Sequence, residues 1–223
     1  MTHKLPLFPL NIVLFPGSPL PLHIFEERYR LMIERCIEQD APFGVVLIRE
    51  EDRVDTDPNV SFHMVGTTAS ISDGAKLEDG RYILNTAGQR RFRVQYVVQR
   101  IPYFVGSVTY LPEETAGAAI EHANQLRALY DRYWTALGTA TGYQLEMEPL
   151  PDDIIEMTYW MSHRLQVDNL RKQRWLEADV ATRLREITAE LRSELAMLPN
   201  DPTARPDGPD DESGNWVGPG SWN

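Results

Sequence analysis

The first thirty residues set the tightest limit on what this chain can fold into. Five prolines, Pro6, Pro9, Pro16, Pro19 and Pro21, interrupt an apolar, β-type run that extends from Leu5 to Phe25. Proline lacks a backbone donor and fixes φ, which argues against one long regular strand in mid-sheet. The pattern predicts short strand segments broken by corners, as in a barrel-like sheet that bends around its core. A helix follows at once: from Phe25, apolar Tyr29, Met32, Ile33, Cys36 and Ile37 recur on one helical face. Glu26 and Glu27 occupy its first turn, where negative charge suits the helix dipole. Cys36 lies on the apolar face and reads as a small buried hydrophobe.

Beyond that helix the chain reads as β up to about Leu111. Phe43 to Arg49 is a continuous apolar run, short enough for a fully buried strand. Phe62 to Ser72 is rich in β-branched residues around Gly66, which points to a bulge or a close backbone approach. Asp79-Gly80 signals a turn before a strand over 81–85, and Gly88 is expected to separate it from a further strand, Arg91 to Val98. Pro102 ends that strand and Tyr103 to Leu111 supplies one more. Arg90, Arg91 and Arg93 form a small basic cluster, read as a solvated sheet face.

From about Glu114 the period becomes helical. Ala119, Ala123, Leu126, Tyr130, Tyr133, Trp134 and Leu137 recur at helical spacing, with Gly138 and Gly142 expected to close the helix. Asp153 and Glu156 have capping-box spacing, Asp168 or Asn169 can cap a short helix, and Asp179 can cap the last one. That last helix carries a stripe of Val180, Leu184, Ile187, Leu191, Leu195 and Leu198, with Arg183, Arg185, Glu186, Glu190, Arg192 and Glu194 expected on its solvated face. After Pro199 the composition is acidic and rich in Pro and Gly, which predicts disorder. The chain thus divides into a β-rich part over 1–112, a helical part over 113–198 and an acidic tail over 199–223. Trp216 and Trp222 in that tail are candidate anchors for a partner, because indoles dominate interface energetics.

The charge balance narrows the function. With 33 acidic against 22 basic residues the net charge is −11, and such a chain on average repels a polyanion. No run of about 18 apolar residues and no secretory signal is visible, and the single cysteine fits a reducing compartment, so a cytoplasmic protein without a membrane span is expected. The five histidines lack zinc spacing and Cys36 has no partner cysteine, so neither a metal nor a cofactor is expected. There is no phosphate loop of the form G-x-x-x-x-G-K-[ST] and no G-x-S-x-G elbow.

Several blocks in order resemble the N-terminal, substrate-binding (LON) domain family of Lon proteases. They are Leu5 to Leu10 with Val13 to Gly17, Pro21 to Glu26 and Tyr29; Gly44 to Leu47; Val65 to Ala69; Asp79 to Leu84 with Gly88 and Arg91 to Val94; and, more weakly, Leu176 to Leu184. The resemblance covers about residues 4 to 198. It implies an α+β fold, a PUA-like β pseudo-barrel with one helix, followed by a C-terminal helical bundle. It also implies a member without the ATPase and peptidase domains, a non-catalytic module that binds unfolded or tagged substrates or a partner protein. An adaptable apolar surface suits that task. The candidates are Phe15, Phe62 and Met64 from the β part, and Met157, Trp160 and Met161 from the helical part. Two alternatives stay open: a PUA-like small-ligand or RNA binder using the Arg90/Arg91/Arg93 cluster, and an unrecognised hydrolase in which His23 or His163 meets a nucleophile.

Overall fold

The computed structural model describes residues 2–49, 61–114, 118–141 and 147–198. Six strands come first, with one helix among them: β1 (His3–Leu10), β2 (Pro19–Ile24), α1 (Glu27–Glu38), β3 (Phe43–Ile48), β4 (Phe62–Lys76), β5 (Tyr82–Gln99) and β6 (Phe104–Tyr110). Four helices follow: α2 (Ala118–Thr141), α3 (Ile154–Arg164), α4 (Asn169–Glu177) and α5 (Val180–Met197). The sheet runs in the order β2-β5-β4-β3-β1-β6, and β5 also pairs with β6, so five strands close into a ring with β2 laid on its outer edge.

The opening corrects one expectation. β1 contains Pro6 and Pro9 yet lies inside the ring, between β3 and β6. It can do so because it changes partner midway. His3 to Leu7 pair with β6, Leu7 to Leu10 pair with β3, and the two ladders overlap only at Leu7. Each proline therefore sits in a half with one neighbouring strand, where a missing donor leaves no gap in a second ladder. Corners do follow: residues 11–18 form no strand, and Gly17 turns there at φ +76.

Alternation explains the burial. Val46 and Ile48 of β3 point into the ring with Leu5, Leu7, Phe62, Phe92 and Phe104, whereas Phe43 and Val45 face the α1 layer with Tyr29, Met32 and Cys36. Both faces of β3 are thus covered, which is why its sequence is continuously apolar. Ile37, read from spacing on the buried face of α1, is 49% exposed. Gly66 is a close approach as expected, since a Cβ there would lie 2.3 Å from the Val45 carbonyl oxygen.

Gly88 does not divide two strands; β5 runs straight through it. Its role is contact with the corner. A Cβ at Gly88 would lie 2.2 Å from the Phe15 carbonyl oxygen, and the Gly88 N–H donates to the Ser18 carbonyl while the Gly17 N–H donates to the Gly88 carbonyl. The buried Thr67 hydroxyl donates to the Leu14 carbonyl at 2.6 Å. The corner is fastened to the ring from both ends.

The helices form the second layer. Asp153, Asp168 and Asp179 each cap a helix, accepting from the N–H groups of Glu156, Arg171 and Thr182. Their cluster of Leu126, Met157, Trp175, Leu184, Ile187 and Leu191 also takes in Phe15 and Val65 from the β part, so the two layers share a core. Gly138 lies within α2, which continues to Thr141, and Gly142 is outside the described residues. A larger correction concerns α5: Arg183, expected on the solvated face, is 0% exposed.

Candidate functional site

Where the corner, the β5–β6 end and α3 meet, they enclose a cavity of about 660 Å³. The corner supplies Pro16 to Pro19, β5 supplies Ala87 to Arg91, and the segment after β6 supplies Leu111, Pro112 and Glu113. Across from them stand Pro151 and the α3 side chains of Ile155, Glu156, Tyr159, Trp160, His163 and Arg164. Prolines, aliphatic side chains and two aromatic rings make the walls rigid and largely apolar, with polar groups at their edges, the usual composition of a binding site.

The back of the cavity is a buried polar cluster. Arg91, 5% exposed, donates from Nε to Glu113 Oε1 at 2.5 Å and from Nη1 to the Leu176 and Ala178 carbonyls at 2.6 and 2.9 Å. Tyr159 also donates its hydroxyl proton to Glu113 Oε1. Arg183 donates to the Trp175 and Ala178 carbonyls and to Thr158 Oγ1 at 2.8, 2.9 and 3.0 Å, with its guanidinium 4.1 Å from the Tyr159 ring centre. Burial pushes the Tyr159 hydroxyl well above its ordinary range, so it acts as a proton donor to Glu113. Burial first, then Lys172 and Arg164, hold the His163 ring below its usual value, which favours the uncharged imidazole. One strand, one connecting segment and three helices are tied together here. The cluster fixes how far apart the cavity walls stand.

The rim differs. Trp160, half-buried, receives the edge of Tyr130 at 5.8 Å and 83°, and carries the Arg164 guanidinium over its ring at 3.7 Å. Arg164 also pairs with Glu148. The Tyr130 hydroxyl donates to the Glu148 backbone carbonyl at 2.9 Å, anchoring the segment that precedes α3.

The structure does not gather the six expected binding residues into one surface. Trp160 lines the cavity; Phe15 is fully buried behind Tyr159, with ring centres 6.1 Å apart. Met157 and Met161 are buried among the helices, at 0% and 2% exposure. Phe62 packs inside the ring edge-on to Phe104, and Met64 lies on β4 at 37% exposure, neither of them at the cavity. Trp216 and Trp222 are outside the described residues. The basic cluster loses its middle member, because Arg91 is buried and fully engaged, while Arg90 stacks on Tyr110 at 4.1 Å. Of His23 and His163, only His163 borders the cavity. Sequence reasoning passed over Glu113, Tyr159 and Arg164, and placed Arg91 on a solvated sheet face, whereas it is buried. For Arg164 a signal existed, since an aromatic ring and a cation four residues apart on a helix face each other.

Among the described residues, no group of three His, Cys, Asp or Glu side chains is placed to hold a metal ion, and no helix is long and apolar enough to cross a membrane. Burial raises the Cys36 thiol to about 11, so it is not a reactive thiolate at neutral pH.

Comparison with known proteins gives a consistent result. The family model described as the ATP-dependent protease La (LON) substrate-binding domain matches residues 4–193. A Lon protease of Amoebophilus asiaticus is 24% identical over 169 residues, covering 74% of this chain and 20% of that protein. Lon protease 2 of Myxococcus xanthus is 33% identical over 119 residues, covering 52% of this chain and 14% of that protein. The chain therefore spans a quarter or less of the length of these curated relatives. Among solved structures, a Lon N-terminal domain protein from Xanthomonas campestris superposes with a TM-score of 0.61 at 26% identity, covering 84% of this chain and 98% of that one. The N-terminal domain of a Mycobacterium avium complex Lon protease superposes with a TM-score of 0.59 at 17% identity, covering 85% and 98%, a likeness of fold. The shared architecture is α+β, with a PUA-like sheet followed by helices.

Proposed function

The chain belongs to the LON substrate-binding domain family, and on that premise we propose that it is a non-catalytic module that holds segments of unfolded or partner proteins in the cavity between the corner and α3. The observation that carries the reading is the cavity itself. About 660 Å³ accommodates two or three side chains, and its walls come from both layers of the fold. In this reading the β-rich part, together with Glu113, supplies one wall and residues 151–164 the other, and the buried Arg91 cluster sets their spacing. Trp160 is the anchor, a large ring presented by a rigid helix at low entropic cost. The chain works in the cytoplasm, where unfolded clients arise, and a net charge of −11 keeps it off nucleic acid.

Hydrogen exchange tests the assignment. A permanently unfolded, reduced and alkylated protein is added to the purified chain, and exchange is followed peptide by peptide. The expected result is slowed exchange over 15–19, 87–91, 111–113 and 155–164, with binding weakened about tenfold or more by Trp160→Ala. Binding that leaves those segments unchanged would overturn the placement, and no binding at all would overturn the function.

A further inference from the structure

Three features of the rim belong together. The Trp160 ring is held by Tyr130, which packs edge-on against it, and the Glu148 backbone is held by the Tyr130 hydroxyl. Neither restraint involves Arg164. Arg164 itself, with a 41% exposed side chain, is held on this face by the Trp160 ring at 3.7 Å and by the 61% exposed carboxylate of Glu148. An indole face and a carboxylate set for one guanidinium form a cation site, and the chain's own arginine fills it. Exposed stacking and exposed ion pairs are both weak, so this occupant leaves easily.

We propose that Arg164 is a displaceable stand-in for an arginine of the bound polypeptide, so that the cavity selects segments in which arginine lies beside apolar residues. This rests on the polypeptide-binding reading above and adds the class of segment. When a client enters, its guanidinium takes the face of Trp160 and pairs with Glu148, while Arg164 swings into solvent. The apolar neighbours of that arginine fill the space between Pro16, Pro19, Leu111 and Ile155. Charge agrees with this choice. Glu156 borders the cavity and Asp152 and Asp153 are exposed at the start of α3; on the opposite wall the Arg91 charge is already matched by Glu113, and the second cation there, Arg90, lies over the Tyr110 ring. The net charge of −11 draws a basic segment toward the chain.

The test uses three labelled twelve-residue peptides of Gly, Ser and Leu that differ at one central position: arginine, citrulline or glutamate. Each is titrated against the full chain and its Arg164→Ala and Glu148→Gln variants. The arginine peptide is expected to bind best, and Arg164→Ala to strengthen it about three- to tenfold by removing the competitor. Glu148→Gln is expected to erase the preference for arginine over citrulline. Both substitutions are on exposed side chains, and an unchanged melting temperature confirms the fold. If the arginine and citrulline peptides bind equally and Arg164→Ala does not strengthen binding, the inference fails while the cavity reading stands. If no peptide and no unfolded protein binds, both fail.

Discussion

Two arginine sites on opposite edges of one cavity make different use of the same side chain. At the back, Arg91 and Arg183 are buried and bonded to carbonyl oxygens, a carboxylate and a hydroxyl on several elements. At the rim, Arg164 touches one ring and one carboxylate and faces solvent. A buried guanidinium that donates to several elements at once is architecture, because removing it strands carbonyls in a dry interior. An exposed one with two weak partners is replaceable, and replaceability is what a binding site needs. The comparison teaches that charge beside an aromatic ring carries no functional meaning until its burial is known.

The contrast can be broken at its strong end first. Arg183→Ala removes the side-chain donor of the Trp175 carbonyl and of Thr158 Oγ1 and leaves the Ala178 carbonyl to Arg91 alone, and is expected to cost about 3–5 kcal/mol, read by urea denaturation. A loss under 1 kcal/mol would show that the back is no more structural than the rim. Arg91→Ala is expected to cost about 3 kcal/mol, and because both arginines bond the Ala178 carbonyl, the double variant should depart from additivity by about 0.5–3 kcal/mol. Strict additivity would mean two separate fastenings.

Asp179, which caps α5 next to that shared carbonyl, gives a smaller effect with a pH signature. Its carboxylate accepts the Thr182 N–H, which is the main reason its pKa lies below the usual 3.8. A lowered carboxylate stabilises the fold above the unfolded-state pKa and loses that contribution as pH falls through the folded value. Asp179→Ala should therefore cost about 1 kcal/mol at pH 7 and progressively less as the pH drops below about 4. A deficit independent of pH would argue against the cap as its source. Smallest is Arg164→Ala, expected to change stability by no more than about 0.5 kcal/mol. A loss of 2 kcal/mol would move Arg164 into the structural class and undo the comparison.

Much of the fold was legible because it rests on local chemistry. Asp153, Asp168 and Asp179 announce three helix starts, and the stripe from Val180 to Leu195 marks the buried face of α5. The continuous run at Phe43 to Ile48 identifies a strand covered on both faces. What failed was non-local. Apolar periodicity assigns every charge to solvent, so it could not see that Arg91 and Arg183 meet behind Tyr159, from positions 92 residues apart in the chain. The same limit hid the cavity, whose walls come from four separate stretches, and only Trp160 among the six candidates was placed on it. Gly88 read as a break because glycine weakens strands; the approach of the Phe15 carbonyl that requires it is invisible from residue 88 alone.

The partner change of β1 at Leu7 has a consequence for a crowded solution. A strand that pairs on one side only is a template for any stray strand, and among the described residues the N-terminal half of β1 has no ladder partner other than β6, nearly a hundred residues later in the chain. Pro6 in that half and Pro9 in the other withhold a donor from each single-sided stretch. The two prolines thus act as a built-in guard against edge-to-edge pairing with other chains.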